Sequence, residues 1–326
     1  MSNYLDILIR AKYEFFPPNK SDVLVYDFDS KEITQKIFNL KKISFLSTRK
    51  EKLNIFVIIK TLLQFKFRYF DYILNFIKCV KPKLVITSID NNRNFYRIKK
   101  FLPKTITIFL QNGHRTGHTD IFKIFEEKNF QRYKKIYHVD LMCVFNKMTS
   151  DYYKKFISGK TFISGSVKNN CEKIYKKKDG LIFISLFRTS RTPFESENQL
   201  IKIIKKFCEQ KKIKLKVLGK FKDLSRQIRE RNYFKNILNN NYFFIKNSEA
   251  RKTYKHLDAS EIVVSSGSTM GLESLGRKNK TAIIHSLPKK PFKKSFWGYF
   301  TKRKDDGFFW SNNLSEKNWS NILSEK

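Results

Sequence analysis

Short hydrophobic runs alternate along the chain with longer segments of mixed hydrophobic and polar residues. Several runs are apolar at consecutive positions, which is typical of strands buried on both faces of a sheet. Helical patterns separate most of them, so the order predicts βαβ units and a mainly parallel sheet. The predicted strands of the first half are Asp22–Tyr26, Ile43–Ser47, Leu84–Ser88, Thr105–Leu110, Leu141–Phe145 and Thr161–Ile163.

The pattern stops at Ser166–Gly180, which is polar, charged and without periodicity, and then starts again. The later predicted strands are Leu181–Leu186, Lys214–Leu218, Tyr242–Ile245, Glu261–Ser265 and Thr281–His285. The length of 326 residues accommodates two domains with separate cores. We therefore predict an α/β fold of two Rossmann-like, doubly wound domains that face each other across a cleft. Their bounds are residues 1–166 and 181–290, with a linker at 167–180 and a tail at 291–326 that packs back toward the first domain.

The most apolar segment covers residues 53–80, but five charged side chains interrupt it. A membrane-spanning helix needs about 20 mostly apolar residues without such charges. The segment instead predicts one long amphipathic helix, packed on the sheet or lying partly on a membrane surface. The interrupting residues are Lys60, Lys66, Arg68, Asp71 and Lys78.

The chain is strongly basic, with 67 Lys and Arg residues against 29 Asp and Glu residues and a formal net charge of +38. The abundance of Lys, Asn, Ile, Phe and Tyr also reflects the codon usage of an AT-rich genome. A remaining positive field favours anionic lipid, nucleic acid or phosphorylated substrates. The cations are spread evenly, without a zinc-finger or RNP-like motif, so we expect no nucleic-acid partner. A basic nucleic-acid-binding protein stays the alternative from a different class.

Four scattered cysteines, without a CxxC pair, indicate a reduced compartment and no zinc site. The N-terminal residues lack the basic and apolar regions of a signal peptide. Together these features predict a cytoplasmic protein.

The segment Ile262–Gly276 predicts a strand, a turn rich in hydroxyl groups and a helix. Gly267 permits a tight turn, and Ser268 is a candidate N-cap. With Ser266 and Thr269, these residues would form a phosphate site at a helix N-terminus. Glu273 lies one turn after Thr269, where its carboxylate would accept hydrogen bonds from ribose hydroxyls. An ordinary capped helix would show the same local pattern.

The segment Tyr254–Gly276 resembles the donor-binding region of GT-B glycosyltransferases. More narrowly, the chain is similar to a family of surface-carbohydrate (O-antigen) biosynthesis proteins. One departure is Ser265-Ser266-Gly267, where the pattern has an aspartate near the turn. The stretches that carry the family resemblance are Asp90-Asn91-Asn92 with Phe95-Tyr96, Leu110-Gln111-Asn112-Gly113 with Arg115, Val144–Lys147, Gly165–Asn170, Phe183–Arg188 and Asp306–Trp310.

The resemblance implies a GT-B fold and sugar transfer from a nucleotide-sugar donor that acts as co-substrate, with no further cofactor. In such enzymes, cations after strands stabilise the phosphate that departs, and Arg188 and Lys220 occupy such positions. The acceptor is expected to be a lipid-linked glycan. The protein would then work as a peripheral protein on the anionic, cytoplasmic face of the inner membrane.

A sugar transferase needs a base that accepts the proton of the acceptor hydroxyl. In the first domain, the polar loop at residues 111–120 follows a predicted strand and contains His114, His118 and Asp120. Asp90 follows the preceding strand. We keep Asp90, His114 and Asp120 as candidate bases.

Two other patterns need weighing. Val23–Ser30 resembles the first motif of haloacid-dehalogenase phosphatases, and its Asp27-Phe28-Asp29 also fits a metal-binding DxD. The phosphatase needs a later acidic pair after a hydrophobic strand, and a DxD should follow a nucleotide-binding half. Neither context is present, so we expect no catalytic metal. A polyol-phosphate transferase that uses CDP-glycerol, with a similar fold, stays an alternative.

Overall fold

The computed structural model describes residues 11–27, 31–37, 43–49, 51–115, 125, 136–170, 173–175, 178–190, 192–247, 250–284, 307–311 and 315–325. The chain divides into two units, Met1–Cys171 and Glu172–Lys326. The division falls inside the segment 167–180 that the sequence marks as a linker. Each unit is built on its own parallel sheet, as the alternation of hydrophobic runs predicts.

The first unit holds eight of the described strands and seven of the described helices. The strands are β1 (Lys12–Glu14), β2 (Val23–Tyr26), β3 (Ile43–Leu46), β4 (Lys52–Asn54), β5 (Leu84–Thr87), β6 (Ile106–Leu110), β7 (His138–Val144) and β8 (Ser158–Ile163). The helices are α1 (Lys31–Ile37), α2 (Ile55–Leu62), α3 (Tyr69–Val80), α4 (Arg93–Tyr96), α5 (Ile98–Phe101), α6 (Lys147–Lys154) and α7 (Val167–Asn170).

Six of these strands form one parallel sheet in the order β3-β2-β5-β6-β7-β8. The chain runs from β2 outward to β3 and then returns to the other side of β2 for β5. The strand order therefore reverses between β2 and β5, and ligands of doubly wound sheets bind outside the carboxyl ends at such a point. Burial of β2 at all four positions explains its continuous apolar run, Val23–Tyr26. Strands β1 and β4 form a separate parallel pair.

The second unit repeats the architecture with six described strands in the order β11-β10-β9-β12-β13-β14. This is the strand order of the Rossmann fold, with its reversal between β9 and β12. The strands are β9 (Leu181–Ile184), β10 (Leu215–Leu218), β11 (Phe243–Ile245), β12 (Ile262–Ser265), β13 (Lys280–Ile284) and β14 (Trp310–Ser311). The described helices are α8 (Glu195–Lys211), α9 (Leu224–Leu238), α10 (Ala250–Asp258), α11 (Thr269–Gly276) and α12 (Glu316–Ser324).

The described residues of the tail, 307–311 and 315–325, belong to the second unit. Their expected return toward the first domain stays a prediction. Strand β14 pairs with β13, and Trp319 of α12 is buried in the same core as Leu200 and Ile204 of α8. The physical reason is the apolar face of α12, where Trp319, Ile322 and Leu323 cover hydrophobic area at the end of the sheet.

The apolar segment 53–80 forms two helices, not the single long helix that its composition predicts. Helix α2 ends in a Schellman motif, in which the Lys66 N–H donates to the Thr61 carbonyl at 3.2 Å and the Phe65 N–H to the Leu62 carbonyl at 2.8 Å. Phe65 takes the left-handed conformation, with φ of +53°, at the position usually held by glycine. Helix α3 then packs into the core through residues such as Phe70 and Ile73. In the described part of the chain, no helix is both long enough and apolar enough to cross a bilayer.

Candidate functional site

The segment after β12 has the order that the sequence predicts, with a strand, a glycine turn and a capped helix. Strand β12 ends at Ser265, and Gly267 follows with φ of +91°, a conformation that favours glycine. Ser268 is the N-cap of α11, and its hydroxyl accepts a hydrogen bond from the Met270 N–H at 3.3 Å. The N-terminus of α11 therefore begins at the carboxyl edge of the sheet, beside the reversal between β9 and β12.

Gly271 lets α11 lie directly on the end of β12. A Cβ atom at this position would meet the Ser265 Cβ and Oγ atoms at 2.5 Å, which no real side chain tolerates. Close packing of helix on strand is the role of the third glycine in dinucleotide-binding fingerprints. The start of α11 is thus fixed against the strand that precedes it.

Replacing Gly271 with alanine is expected to lower the free energy of unfolding by about 1–3 kcal/mol, because the added methyl group overpacks the α11–β12 contact. Urea denaturation measures this change. Gly276→Ala is the matched control, since Gly276 is exposed at the last residue of the same helix. That control should leave stability equal or slightly higher. Equal stability of Gly271→Ala and the wild type would contradict the close packing.

Glu273 is buried, at 6 % exposure, and its Oε2 accepts a hydrogen bond of 2.7 Å from the Tyr254 hydroxyl. Tyr254 lies on α10 and is itself fully buried. The hydroxyl therefore fixes the orientation of the carboxylate. The sequence predicts Glu273 as a ribose ligand but contains no local signal that Tyr254 contacts it.

The two predicted cations lie at the same edge of the sheet. Ile184 of β9 is in register with both Leu218 of β10 and Ser265 of β12, so the residues that follow these strands emerge at one level. Arg188 comes four positions after β9 and is exposed. Lys220 comes two positions after β10 and is exposed as well, with its ammonium group 5.7 Å from the centre of the Phe221 ring. The edge thus combines the half-buried Ser268 and Thr269, a helix N-terminus and positive charge, whereas the predicted ligand Ser266 is buried at 2 % exposure.

Glu230 of α9 connects the loops after β9 and β10 at this edge. The sequence contains no local signal for this role. Its carboxylate is fully buried and accepts hydrogen bonds from the Ser185 hydroxyl at 2.5 Å and from the Lys220 N–H at 3.0 Å. Burial raises the pKa of Glu230, and the hydrogen bonds from Ser185 and the Lys220 backbone act in the opposite direction. The side chain links the loops that carry the two predicted cations.

In the first unit, two of the stretches that carry the family resemblance meet at one buried carboxylate. Asp90 follows β5 and is 0 % exposed. Its oxygens accept hydrogen bonds from the Arg115 Nε at 2.7 Å, from Arg115 Nη2, from the Tyr153 hydroxyl at 2.6 Å and from the Asn112 N–H at 3.1 Å. The guanidinium and the carboxylate form a bidentate pair. Asp90 therefore joins the loops after β5 and β6.

This environment bears on the expectation that Asp90 is a general base. The carboxylate has no exposed surface, and both of its oxygens accept hydrogen bonds from Arg115. Burial beside Asp90 raises the pKa of the Tyr153 hydroxyl well above its ordinary value. The geometry favours Asp90 as a residue that positions Arg115.

Gln111 connects a third stretch of the resemblance, Val144–Lys147, to the same edge. Its side-chain oxygen accepts a hydrogen bond of 2.8 Å from the Phe145 N–H, and its amide nitrogen donates to the Gly113 carbonyl at 2.9 Å. Phe145 precedes Asn146, whose side chain caps α6 by accepting from the Thr149 N–H at 2.9 Å. The stretches Gln111–Gly113 and Val144–Lys147 thus meet in one network of loops.

The other two predicted bases have different outcomes. His114 lies in the loop after β6, next to Arg115, and is half-buried. Asp120 lies outside the described residues. Of the two candidates that the structure describes, Asp90 is fully buried and His114 is half-buried, with its Nε2 atom shielded from solvent.

Asp27, the first residue of the alternative acidic motif, is buried after β2 with φ of +95°. Its carboxylate accepts a hydrogen bond from the Thr48 hydroxyl and lies 3.8 Å from Arg49 Nε. Phe28 and Asp29 lie outside the described residues. In the part of the chain that the structure describes, no three His, Cys, Asp or Glu side chains are grouped as metal ligands.

Solved structures with the same two-unit fold include sugar-nucleotide enzymes. A protein from Listeria monocytogenes assigned as a UDP-N-acetylglucosamine 2-epimerase has a TM-score of 0.59 at 13 % identity, covering 94 % of this chain and 88 % of that one. The UDP-GlcNAc 2-epimerase from Neisseria meningitidis, bound to UDP-GlcNAc, has a TM-score of 0.54 at 8 % identity, with coverage of 93 % and 90 %. The wall teichoic acid polymerase TagF, soaked with CDPG, has a TM-score of 0.50 at 9 % identity, with coverage of 94 % and 82 %. These likenesses establish the GT-B fold.

No curated protein is significantly similar in sequence. A family model described as an O-antigen biosynthesis protein matches residues 108–325. The match begins in β6 and runs through the second unit to the end of α12, so it includes the edge at β9, β10 and β12 and the loop with Arg115. Because the model covers more than half of the sequence, this chain belongs to the O-antigen biosynthesis protein family.

Proposed function

We propose that this protein is a glycosyltransferase that moves a sugar from a nucleotide-activated donor to an acceptor of surface-polysaccharide (O-antigen or capsule) synthesis. The observation that carries the proposal is the carboxyl edge of the second sheet. There a glycine turn, a capped helix N-terminus and two exposed cations lie around the reversal of strand order. That combination suits a diphosphate.

The donor would bind through the second unit. The turn Ser266–Thr269 would receive the diphosphate at the start of α11, and Glu273, held by Tyr254, would accept hydrogen bonds from the ribose. Arg188 and Lys220 would stabilise the negative charge that grows on the departing nucleotide. Glu230 would act indirectly, because it fixes the loops from which these cations extend.

The acceptor would react in the first unit. Its hydroxyl oxygen would form a bond to the anomeric carbon, while the bond from that carbon to the donor phosphate breaks and its electron pair leaves with the nucleotide. The hydroxyl proton would pass to a base, for which His114 is the described candidate. Asp90 would hold Arg115 in place. No step of this scheme requires a metal ion.

Similar proteins support the fold and the family of this chain. The solved structures include epimerases of UDP-GlcNAc and a polymerase of wall teichoic acid, and both kinds of protein share the fold described above. The family description refers to O-antigen biosynthesis. Sugar transfer fits that family, and epimerisation and polyol-phosphate transfer are the outcomes against which it must be tested.

A thermal-shift screen of UDP-, CMP- and GDP-sugars, CDP-glycerol and oligonucleotides tests the donor site. A donor present at about 100 times its Kd should stabilise the native state by about 2.7 kcal/mol, because it binds the folded form alone. A gain of this size raises the melting temperature by several degrees. Stabilisation by oligonucleotides alone would favour the nucleic-acid alternative.

Product analysis separates the possible reactions. With a labelled nucleotide sugar and a crude lipid-linked acceptor fraction, transfer moves the label into the lipid and releases the nucleotide. Epimerisation would leave the label on an intact nucleotide whose sugar has changed. Label transferred from CDP-glycerol instead of a nucleotide sugar would identify the polyol-phosphate alternative.

A further inference from the structure

The first unit exposes a run of large apolar side chains between α2 and α3. All residues from Leu62 to Arg68 are exposed. Within this run Leu63 is 76 %, Phe65 85 % and Phe67 77 % exposed. Single exposed apolar residues are ordinary on soluble proteins, but three large ones at alternate positions form a patch that calls for a partner. We name Leu62–Arg68 the apolar tip.

The exposed patch continues along α2. Phe56, Ile59 and Leu63 recur at helical spacing and are all exposed, while Val57 and Thr61 on the other side are buried. One face of the helix packs on the core, and the opposite face is also apolar although it is exposed. Core packing accounts only for the inner face.

A second apolar pair lies near the start of α2. Phe15 is 69 % and Phe16 85 % exposed. The Asn54 side-chain amide, which belongs to the N-cap residue of α2, donates to the Phe16 carbonyl at 2.8 Å. Strand β1 also pairs with β4, which leads directly into α2. These bonds hold Phe15 and Phe16 to the same helix that carries the apolar tip.

The tip is held in place by defined bonds. The Asn75 amide of α3 donates to the Thr61 hydroxyl at 3.0 Å and to the Gln64 side-chain oxygen at 3.3 Å. The Schellman motif places Phe65 in the left-handed region, which is costly for an aromatic residue and normally free of cost for glycine. An aromatic ring that is exposed at such a strained position points to a use outside the fold.

The charges along α2 and the apolar tip are all positive, whereas beside Phe15-Phe16 the exposed Glu14 pairs with Lys52 at 3.2 Å. Between Lys52 and Asp71 the chain has three cations, Lys60, Lys66 and Arg68, and no acidic residue. Lysine and arginine beside aromatic rings are typical of surfaces that lie at a bilayer interface, where the rings enter the headgroup region and the cations reach lipid phosphates. The cores of protein–protein interfaces are instead depleted in lysine.

We propose that the apolar tip, with the outer face of α2 and Phe15-Phe16, docks on the surface of an anionic lipid bilayer. The rings of Phe65 and Phe67 enter the interface, and Lys66 and Arg68 contact acidic headgroups. The net charge of +38 adds long-range attraction to the same surface.

The position of the apolar tip would bring the bilayer near the predicted acceptor site. Helix α3 begins directly after the tip, and the hydroxyl of Tyr69, its first residue, donates to the Ser47 carbonyl at 3.0 Å. Ser47 follows β3, so the tip lies toward the carboxyl edge of the first sheet, the edge that carries Asp90 and His114. A bilayer on this side would present a lipid-linked acceptor to that edge, and this last step rests on the proposed function.

Sedimentation of the full chain with vesicles tests the docking. Vesicles of phosphatidylcholine alone are compared with vesicles that contain phosphatidylglycerol. The test variant is Phe65→Asn with Phe67→Ser, since asparagine is well tolerated in the left-handed region. We expect it to lose about tenfold or more in partitioning to anionic vesicles, while its melting temperature stays equal or rises.

Phe162→Ser with Phe243→Ser is the matched control, because both rings are more than half exposed and lie outside the tip. This control should bind vesicles like the wild type. Equal binding by the tip variant and the wild type, or no vesicle binding by the wild type, would overturn the proposal. A tip variant that changes the oligomeric state in light scattering without losing vesicle affinity would also overturn it, in favour of a contact between copies. The donor-induced thermal shift of the tip variant should be unchanged, so failure of the donor screen and failure of docking are distinguishable.

Discussion

Replacing Asp258 with asparagine is expected to lower the free energy of unfolding of the second unit by about 3–5 kcal/mol, because it leaves a buried arginine without its counter-charge. Asp258 is 0 % and Arg277 3 % exposed. The Arg277 Nε donates to Asp258 Oδ1 at 2.9 Å, and Nη2 donates to Oδ2 at 2.5 Å. Asn279 and the Tyr175 N–H complete the shell, each at 3.0 Å.

The measurement is urea or thermal unfolding, with Asp223→Asn as the matched control. Asp223 caps α9 and is only half-buried, and asparagine is an equally good N-cap. The control should therefore unfold like the wild type. If both variants unfold alike, the ion pair does not stabilise the unit.

The same pair predicts a dependence on pH. Burial alone would raise the pKa of Asp258, but hydrogen bonds from Arg277, Asn279 and the Tyr175 backbone, with the charge of Arg277, lower it. A lowered folded-state pKa means that the stabilisation is complete above the ordinary aspartate pKa of about 4 and is lost as the pH falls through the folded value. The variant lacks this contribution, so its stability should fall less steeply below pH 4 than that of the wild type.

Replacing Arg188 with alanine is expected to reduce the turnover of sugar transfer by about 100-fold or more, because a fixed cation at the departing phosphate acts mainly in the transition state. Folding stability should change by at most about 0.5 kcal/mol, since the side chain is exposed. Initial-rate kinetics and thermal unfolding of the same preparation measure the two effects.

Arg229→Ala provides the control for Arg188→Ala, because Arg229 is an exposed arginine on α9 outside the proposed donor site. Its turnover should match the wild type. Parallel losses of rate and stability in Arg188→Ala would argue for a structural role. A loss shared by Arg229→Ala would indicate that general positive charge, rather than the place of Arg188, determines the rate.

Much of the fold follows from local patterns. The buried strands β2, β5, β9 and β12 are continuous apolar runs, and such runs separated by helical segments specify parallel sheets. The glycine turn and the Ser268 cap are also predictable from the sequence, because both depend only on residues a few positions away. Strands β1, β4 and β14 were not predicted, because they are short and their pairing depends on tertiary contacts.

The parts of the candidate sites that were missed depend on distant partners. In the sequence, nothing distinguishes Glu230 from other acidic residues on helices. Its role depends on the tertiary contacts that bring it to Ser185 and the Lys220 N–H. Asp90 looked like a base because it follows a strand, but Arg115 and Tyr153, far along the chain, determine its environment. The break at Phe65 was missed because its signal, normally glycine, is replaced by an aromatic residue.

The placement of α12 in the second core affects how the protein is made. Leu200 and Ile204 of α8 need Trp319 to cover them, although β13 ends at Ile284. On a translating ribosome the second sheet can therefore form its first five strands while one side of its core still faces water. A nascent chain at that stage presents a hydrophobic surface that chaperones bind, and an early stop codon before α12 would leave that surface permanently open to aggregation.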